Sequence, residues 1–495
     1  MSVSLHLAVD LGASGGRVAL GRLEGDRISL EILHRFENGP VLLGDHLHWD
    51  IPRLWQEVWL GLQRAPLGVK TVSVDGWGVD FALLGPDGTL VGLPRHYRDP
   101  RHVAAFHRVL RDHSGWALYR RTGIQLMPIN TLYQLVALKE GNPRLLEAAQ
   151  RFLMLPDLFH YWLSGIAANE WTNASTTQLA EPWQRTWAKD LLEALGLPPH
   201  LFAEPVLPGT VLGDLREVLA RELGQSFAVV ASASHDTASA VAAVPAEGKG
   251  WAYLIAGTWT LLGVERNAPL VDARAFAYNL TNEGGIDGTI RLLKNVMGLW
   301  LLQECRRVWS TDFSEIASWA REEPPFRFVL DPDREEFLPP NEVAGPMPER
   351  IRRYLEATGQ GAPERPGQVA RTVYEGLGFR YRQVLEALEE VVGDKLNRIH
   401  VVGGGSQDAF FCQTVADLTE RTVIAGPTEA TLLGNLLVGA RAVGAVKEPI
   451  REVVRASVKL QTYVPRELEG LEEAYARFLE LASPLGRAHD GGESL

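Results

Sequence analysis

The chain is 495 residues long with a formal net charge of −12, longer than one ordinary hydrophobic core supports, so two domains are predicted. With 46% hydrophobic and 22% charged residues, its composition is that of a globular protein. The acidic balance excludes a nucleic-acid groove or an anionic membrane as the main partner, but not small anions held by backbone amides and a metal ion.

The first apolar run has no basic region before it and is broken by Asp10, so the N-terminus does not read as a signal peptide. Uncharged runs reach about fourteen residues (Trp251 to Val264), short of the ~20 that span a bilayer. Cys305 and Cys412, the two cysteines, fall in helical patterns without metal-ligand spacing. Buried free thiols in a reducing, cytoplasmic setting are expected.

In chain order, His6 to Asp10 reads as a strand ending in an acid, followed by the turn Leu11–Gly16 and a second strand, Arg17–Leu23. Ile28–Leu33 continues an antiparallel meander. Thr71–Val74 and Val79–Leu84 flank Asp75-Gly-Trp-Gly78, and helical patterns dominate from Val103 to Trp162. Ala228–Ser232 reads as a buried strand and Asp236–Val244 as a helix of small residues. Pro245–Gly250 breaks the chain, and Trp251–Gly263 repeats the strand, glycine turn and strand of residues 6–23. This predicts two related halves. The last third alternates: strand Ile399–Val402, helix Gln407–Glu420, strand Thr422–Ala425 and helix Ala430–Val443, the order of a nucleotide-binding α/β layer.

Four constellations carry chemistry. In Asp10-Leu-Gly-Ala-Ser-Gly-Gly-Arg17, amides of a glycine-rich turn can converge on a phosphate while the acid holds a hydrated cation. A tight hairpin capped by Asp10 explains the same residues, until the second such turn at Gly257-Thr258 favours the phosphate reading. Ser234-His-Asp-Thr237 opens a helix; Asp236 is either an ordinary cap or a carboxylate that accepts a proton from an attacking hydroxyl. Lys294–Gln303 reads as an amphipathic helix that brings Asn295 and Gln303 within about a quarter turn of each other, either to contact different parts of one ligand or, more commonly, as polar residues on a solvated face. Gly403-Gly-Gly405 is a plain turn or a backbone surface for a purine, and Trp77 and Trp259, beside glycine turns, are candidates to line a cleft.

Together these residues identify a resemblance. The chain resembles carbohydrate kinases of the FGGY family over nearly its whole length, through Ala8–Ser14 with Gly16-Arg17, Trp77–Phe81, Asn130–Leu135, and Thr172–Ala174 with Thr176–Leu179. Further matches are Ser234–Ala240, Gly257–Trp259, Thr281–Gly285, Lys294-Asn295 with Met297–Gln303, and Val402–Gly405. The resemblance implies an α/β, actin-like ATPase (ribonuclease H-like) fold of two related domains around a central cleft. The expected boundaries are 1–244 for a sugar-binding and catalytic domain, 245–482 for a nucleotide-binding domain, and 483–495 for a flexible tail.

By the same resemblance, Asp236 is the proton acceptor, and Gly78, His235, Thr237 and Asn295 contact the sugar. Ala13, Ser14, Gly15, Gly16, Arg17, Thr258, Gln303 and Gly404 contact ATP, and Asp10 holds Mg²⁺ through water. The chain departs from the family at Gly15, often Ser, at Gly76, usually Thr, and at Thr131, where the wider signature has Lys. The last departure points to the branch that phosphorylates the 1-hydroxyl of L-rhamnulose. L-Fuculose or L-xylulose are the alternative ketoses, and a non-catalytic sugar sensor is the remaining rival. A monomer or homodimer without nucleic-acid or membrane partners is expected.

Overall fold

The computed structural model describes residues 3–338 and 341–486. Strand β1 (Val3–Leu11) turns into β2 (Gly15–Glu24) and that into β3 (Arg27–Glu37), the antiparallel meander that the alternation predicts. β4 (Val69–Gly76) joins the free edge of β1 in parallel. With β5 (Thr210–Asp214) and β6 (Ala228–Ala231) it completes a six-stranded sheet in the order β5-β6-β4-β1-β2-β3. β1 is covered on both faces. Leu7, Val9 and Leu11 enter one apolar core and Ala8 another, which explains the nearly unbroken apolar run there. A mostly helical insert separates β4 from β5. It also holds the antiparallel pair Phe81–Leu84 and Arg151–Met154, so the helical stretch expected from Val103 to Trp162 is interrupted by a strand.

Helix α1 (Asp236–Ala242) follows β6, and the chain restarts at β7 (Trp251–Ala256) with β8 (Trp259–Arg266), β9 (Thr281–Gly284) and β10 (Ile290–Met297). Helix α2 (Trp300–Trp309) precedes β11 (Arg398–Val402) and β12 (Thr422–Ala425); helix α3 (Ala430–Ala442) and β13 (Gln461–Tyr463) come last. The second sheet has the order β9-β10-β8-β7-β11-β12-β13. Its core, β10-β8-β7-β11-β12, repeats the order and strand directions of β3-β2-β1-β4-β6. The two halves are duplicates in topology, as the repeated glycine turn predicts. Cys305 and Cys412 are buried and unpaired, and among the described residues no helix is long and apolar enough to cross a membrane. At the C-terminus Ser483 N–H donates to Asp331 and Lys294 Nζ donates to Leu485 O; residues 487–495, part of the expected tail, lie outside the described residues.

One predicted element is corrected. Residues 294–303 are not a single helix: β10 runs to Met297, the chain bends at Gly298, and α2 begins at Trp300. Pairing of Ile290–Met297 with Arg266–Trp259 supplies a full ladder that outweighs local helical preference. Gly298 packs so closely on the Gly257 turn that a Cβ would lie 2.6 Å from Gly257 O. Asn295 is therefore on a strand and Gln303 on a helix, and the quarter-turn relation between them does not hold.

Helices α1 and α3 join the halves. They share an apolar core with β1, β2, β7, β10 and β11, built from Ala8, Ala19, Ala240, Val241, Tyr253, Leu293, Val402, Leu433 and Leu436. Small residues let the helices touch: a Cβ on Gly434 would lie 1.8 Å from Ser239 O. Farther along α3, Asn435 Nδ2 donates to Asp75 Oδ2 at 2.9 Å, fixing the second half to the end of β4. Gly434→Ala should destabilise the protein by about 1–3 kcal/mol, as overpacking does. Gly39→Ala, where a Cβ meets nothing within 4 Å, serves as the neutral control. Urea unfolding checks this, and equal midpoints for the two variants would contradict the packing argument.

Candidate active site

Asp236 is the first residue of α1, where a carboxylate suits the helix dipole. Its side chain remains 30% exposed. Thr237 Oγ1 donates to Asp236 Oδ1 at 3.1 Å, and His235 Nε2 lies 3.6 Å from the same oxygen. Burial raises the pKa of Asp236 above the ordinary carboxylate value; His235 pulls it down and repulsion from Asp10 pushes it up.

The segment entering α1 is clamped from below. Glu170 accepts from Ser234 N–H at 2.8 Å and Ser234 Oγ at 2.9 Å, and from the N–H and hydroxyl of Thr172. Thr172 Oγ1 in turn accepts from His235 N–H at 3.1 Å. Gly76 N–H donates to Ser234 O at 3.0 Å, tying this segment to the end of β4. Burial pushes Glu170 up to about 7, against the pull of its Thr172 donors.

The loop after β4 holds Gly78 and Val79. Val79 is a β-branched residue at φ 67°, a conformation kept only under constraint. Three groups supply the constraint. Thr176 Oγ1 accepts from Val79 N–H at 3.0 Å, Thr131 Oγ1 donates to Val79 O at 2.6 Å, and Gln134 Nε2 donates to the same oxygen at 3.3 Å. Asp80 then accepts from Trp49 Nε1, Trp77 Nε1 and Gln134 Nε2 at 2.6, 3.0 and 2.8 Å. Trp77, expected at the cleft, is instead buried against Trp49 with ring centroids 4.0 Å apart, because its indole N–H serves Asp80. Trp259 is half-buried at the start of β8.

Ala13, Ser14, Gly15 and Gly16 form the β1–β2 turn, with Ser14 exposed. Arg17 ion-pairs with Asp10 and with Glu429, the residue before α3, so the turn is latched to the second half. Thr258 sits in the equivalent β7–β8 turn and donates to Gln303 Oε1 at 3.2 Å. Gly404 faces open space after β11, and Gly403 N–H donates to Pro427 O at 3.1 Å beside Glu429. Both glycine turns cap the first hairpin of their sheets. Asn295 stands apart, on the same face of β10 as Leu293 and four residues beyond Arg291, about 13 Å along the strand. Gly15 and Gly76, the two departures from the family pattern, have no room for more: a Cβ would lie 3.0 Å from Phe36 O at Gly15 and 2.9 Å from Leu11 O at Gly76.

The FGGY carbohydrate kinase N-terminal domain matches residues 5–243 and the C-terminal domain residues 252–443. The chain belongs to the FGGY family of carbohydrate kinases. It is 41% identical over 482 residues to a rhamnulokinase of Bacteroides thetaiotaomicron, covering 95% of this chain and 98% of that one. A rhamnulokinase of Oceanobacillus iheyensis is also 41% identical, over 94% and 99% of the two chains. In fold the chain is similar to a gluconate kinase of Lactobacillus acidophilus (TM-score 0.80, 16% identity, 97% and 98% covered). It is similar as well to a Plasmodium falciparum glycerol kinase crystallised with ADP (TM-score 0.78, 12% identity, 97% of each covered). The actin-like fold expected of an FGGY kinase is the fold observed.

Within this FGGY kinase the cleft floor is acidic. Asp10 and Asp75 are paired residues of the parallel strands β1 and β4. Asp75 is held well above the ordinary carboxylate range by burial and by the charge of Asp10, with Asp236 adding to it. Among the described residues no group of three or more His, Cys, Asp or Glu forms a metal cage. Asp10 ion-pairs with Arg17 at the end of β1.

Sequence reasoning noted Thr131 only as a departure from the family signature, and it missed the supporting roles of Asp75, Glu170, Glu283 and Arg291. Of these, Arg291 carries a mark in the sequence, as one of two charges, with Lys294, in the mostly apolar strand Ile290–Met297. Glu170 gives a test of the clamp. Folded, it keeps its proton to about pH 7; unfolded, it releases it near 4.5. Its contribution to stability is therefore fully present below pH 4.5 and lost as the pH rises towards 7. Thermal melts across this range should show a falling component that Glu170→Gln removes; an unchanged slope in the variant would mean Glu170 is ionised throughout.

Proposed function

We propose that the protein transfers the γ-phosphoryl group of ATP to the 1-hydroxyl of L-rhamnulose, giving L-rhamnulose 1-phosphate and ADP. The observation that carries this reading is Asp236, a half-exposed carboxylate opening α1, backed by His235 and Thr237 and set at the joint of two sheets that each present a glycine turn. The choice of ketose is supported by the rhamnulokinases aligned over 94% or more of this chain.

In this reading the sugar lies against Gly78, His235, Thr237 and Asn295. Amides of the Ala13–Gly16 turn and the Thr258 turn cradle the phosphates, Gln303 and Arg17 border them, and the purine rests on Gly404. The 1-hydroxyl oxygen attacks the γ-phosphorus, the bond from that phosphorus to the bridging oxygen breaks, and ADP leaves with the electron pair. The hydroxyl proton passes to Asp236. A carboxylate suffices because phosphoryl transfer needs positioning and a late proton acceptor more than a strong base. Mg²⁺ held by Asp10 through water would supply charge neutralisation at the phosphates. The carboxylates of Asp10 and Asp236 repel a bare triphosphate, which is why the metal belongs in this account. Closure of the two halves excludes water and limits wasteful hydrolysis of ATP. The reaction draws on cytoplasmic ATP.

Asp236→Asn should lower kcat by about 10²–10⁴ while leaving ATP affinity nearly unchanged, since it removes the proton acceptor and little else. A coupled ADP-release assay over L-rhamnulose, L-fuculose and L-xylulose measures both points. Greatest kcat/KM on L-rhamnulose is expected; a variant as active as the parent removes Asp236 from the mechanism, and preference for another ketose overturns the substrate.

A further inference from the structure

His235 is held from the opposite half of the protein. Glu283 on β9 and Arg291 on β10 are cross-strand partners in the second sheet. Arg291 is 0% exposed and Glu283 5%. Arg291 Nε donates to Gly284 O at 2.8 Å, which ties the guanidinium to β9. Its Nη2 then lies 3.1 Å from Glu283 Oε2 and 3.0 Å from His235 Nδ1, while Glu283 Oε2 is 3.4 Å from that same ring nitrogen. Burial alone would push Glu283 up, but Arg291 and His235 outweigh it and keep the carboxyl below its ordinary value, as a carboxylate.

A guanidinium carries donors only and is always charged. At 3.0 Å from Arg291 Nη2, His235 Nδ1 must present its lone pair, so the ring proton of the neutral imidazole sits on Nε2. Glu283 acting alone would impose the opposite tautomer, since a carboxylate asks for a proton on Nδ1. Arg291 stands between the two demands and is the shorter contact. Nε2 is the nitrogen that faces Asp236, 3.6 Å from Oδ1.

We propose that the buried pair Arg291 and Glu283 acts as a set of positioning residues that lock His235 as its Nε2–H tautomer, so that His235 donates towards the ketose and leaves Asp236 as the single proton acceptor. The inference rests on the reading of Asp236 and His235 given above. It assigns complementary roles to two adjacent groups that otherwise compete for one hydroxyl proton. Without Arg291, Glu283 draws the proton to Nδ1 and exposes a basic Nε2 beside Asp236; the ketose then loses a donor and the two groups contend for the same proton. Because Glu283 and Arg291 come from the second sheet and His235 from the chain leaving the first, the lock is complete only when the halves are joined as they are here.

The test has two arms. In nitrogen–proton correlation spectra of the ¹⁵N-histidine-labelled enzyme, assigned through loss of the signal in His235→Ala, His235 should show protonated Nε2 and bare Nδ1; Arg291→Met should move the proton to Nδ1. A parent spectrum with the proton on Nδ1 overturns the proposal, and this holds even if every Arg291 variant fails to fold. In kinetics, Arg291→Met should lower kcat/KM for the ketose by about ten- to hundredfold, the loss of one hydrogen bond to a charged group, with ATP affinity within about twofold. Arg291→Lys, a donor-only cation, should recover part of the loss. In the His235→Ala background Arg291→Met should cost no more than about threefold further, because the two act through one contact. Fully additive losses would reduce Arg291 to a packing role and overturn the proposal. Asp236→Asn separates the two readings: if it stays active the mechanism falls, whereas an inactive Asp236→Asn with indifferent Arg291 variants overturns only the tautomer lock.

Discussion

Backbone contact between two helices governs this molecule. α1 begins with Asp236 and closes the first half; α3 begins just after Glu429 and belongs to the second. They meet where Gly434 lies on Ser239, so near that no side chain fits between them. This contact decides where two topologically equivalent sheets stand relative to each other. It brings Glu429 to Arg17 at the first glycine turn, Asn435 to Asp75 at the end of β4, and the mouth of α1 to the joint between the halves. Each pairing joins residues that are hundreds of positions apart in the chain. The apolar core around the crossing is built mainly of alanine, valine and leucine.

The joint between the halves is acidic. Asp10, Asp75 and Asp236 share the floor, and Arg17 is the cation latched to it. Keeping like charges together under partial burial costs stability, and such costs collect where chemistry is done. Deeper layers then fix the geometry. Glu170 holds Ser234 and Thr172, Thr172 holds His235, and Thr131, Thr176 and Gln134 hold Val79 at a φ that its side chain resists. Thr131, the residue that departs from the wider family signature, is thereby part of the support of the loop that holds Gly78 and Val79.

Much of this was legible in the sequence, and the rest was hidden for physical reasons. The meander of residues 3–37 and its restart at Trp251 declared themselves through strand alternation around glycine turns, signals that depend on neighbours a few residues apart. Asp236 at a helix mouth was visible for the same reason. The stretch from Lys294 to Gln303 misled because its apolar spacing suits a strand and a helix alike, and only pairing with β8 decides between them. Trp77 looked like a cleft residue because it adjoins Gly78, yet a buried carboxylate three residues on claims its indole N–H. Glu283 and Arg291 were beyond reach, since their meaning comes from cross-strand register and from a histidine about fifty residues earlier. Local chemistry can be read from a chain; the second layer that orients it comes from the tertiary fold.

The most direct measurement is a crystal structure with L-rhamnulose, Mg²⁺ and a non-hydrolysable ATP analogue bound together. The account predicts the 1-hydroxyl oxygen about 2.6–3.2 Å from an Asp236 carboxylate oxygen and about 3–3.5 Å from the γ-phosphorus, in line with the bond to be broken. A complex in which that hydroxyl points away from Asp236, or in which the terminal phosphate lies outside the joint between the two sheets, would contradict it.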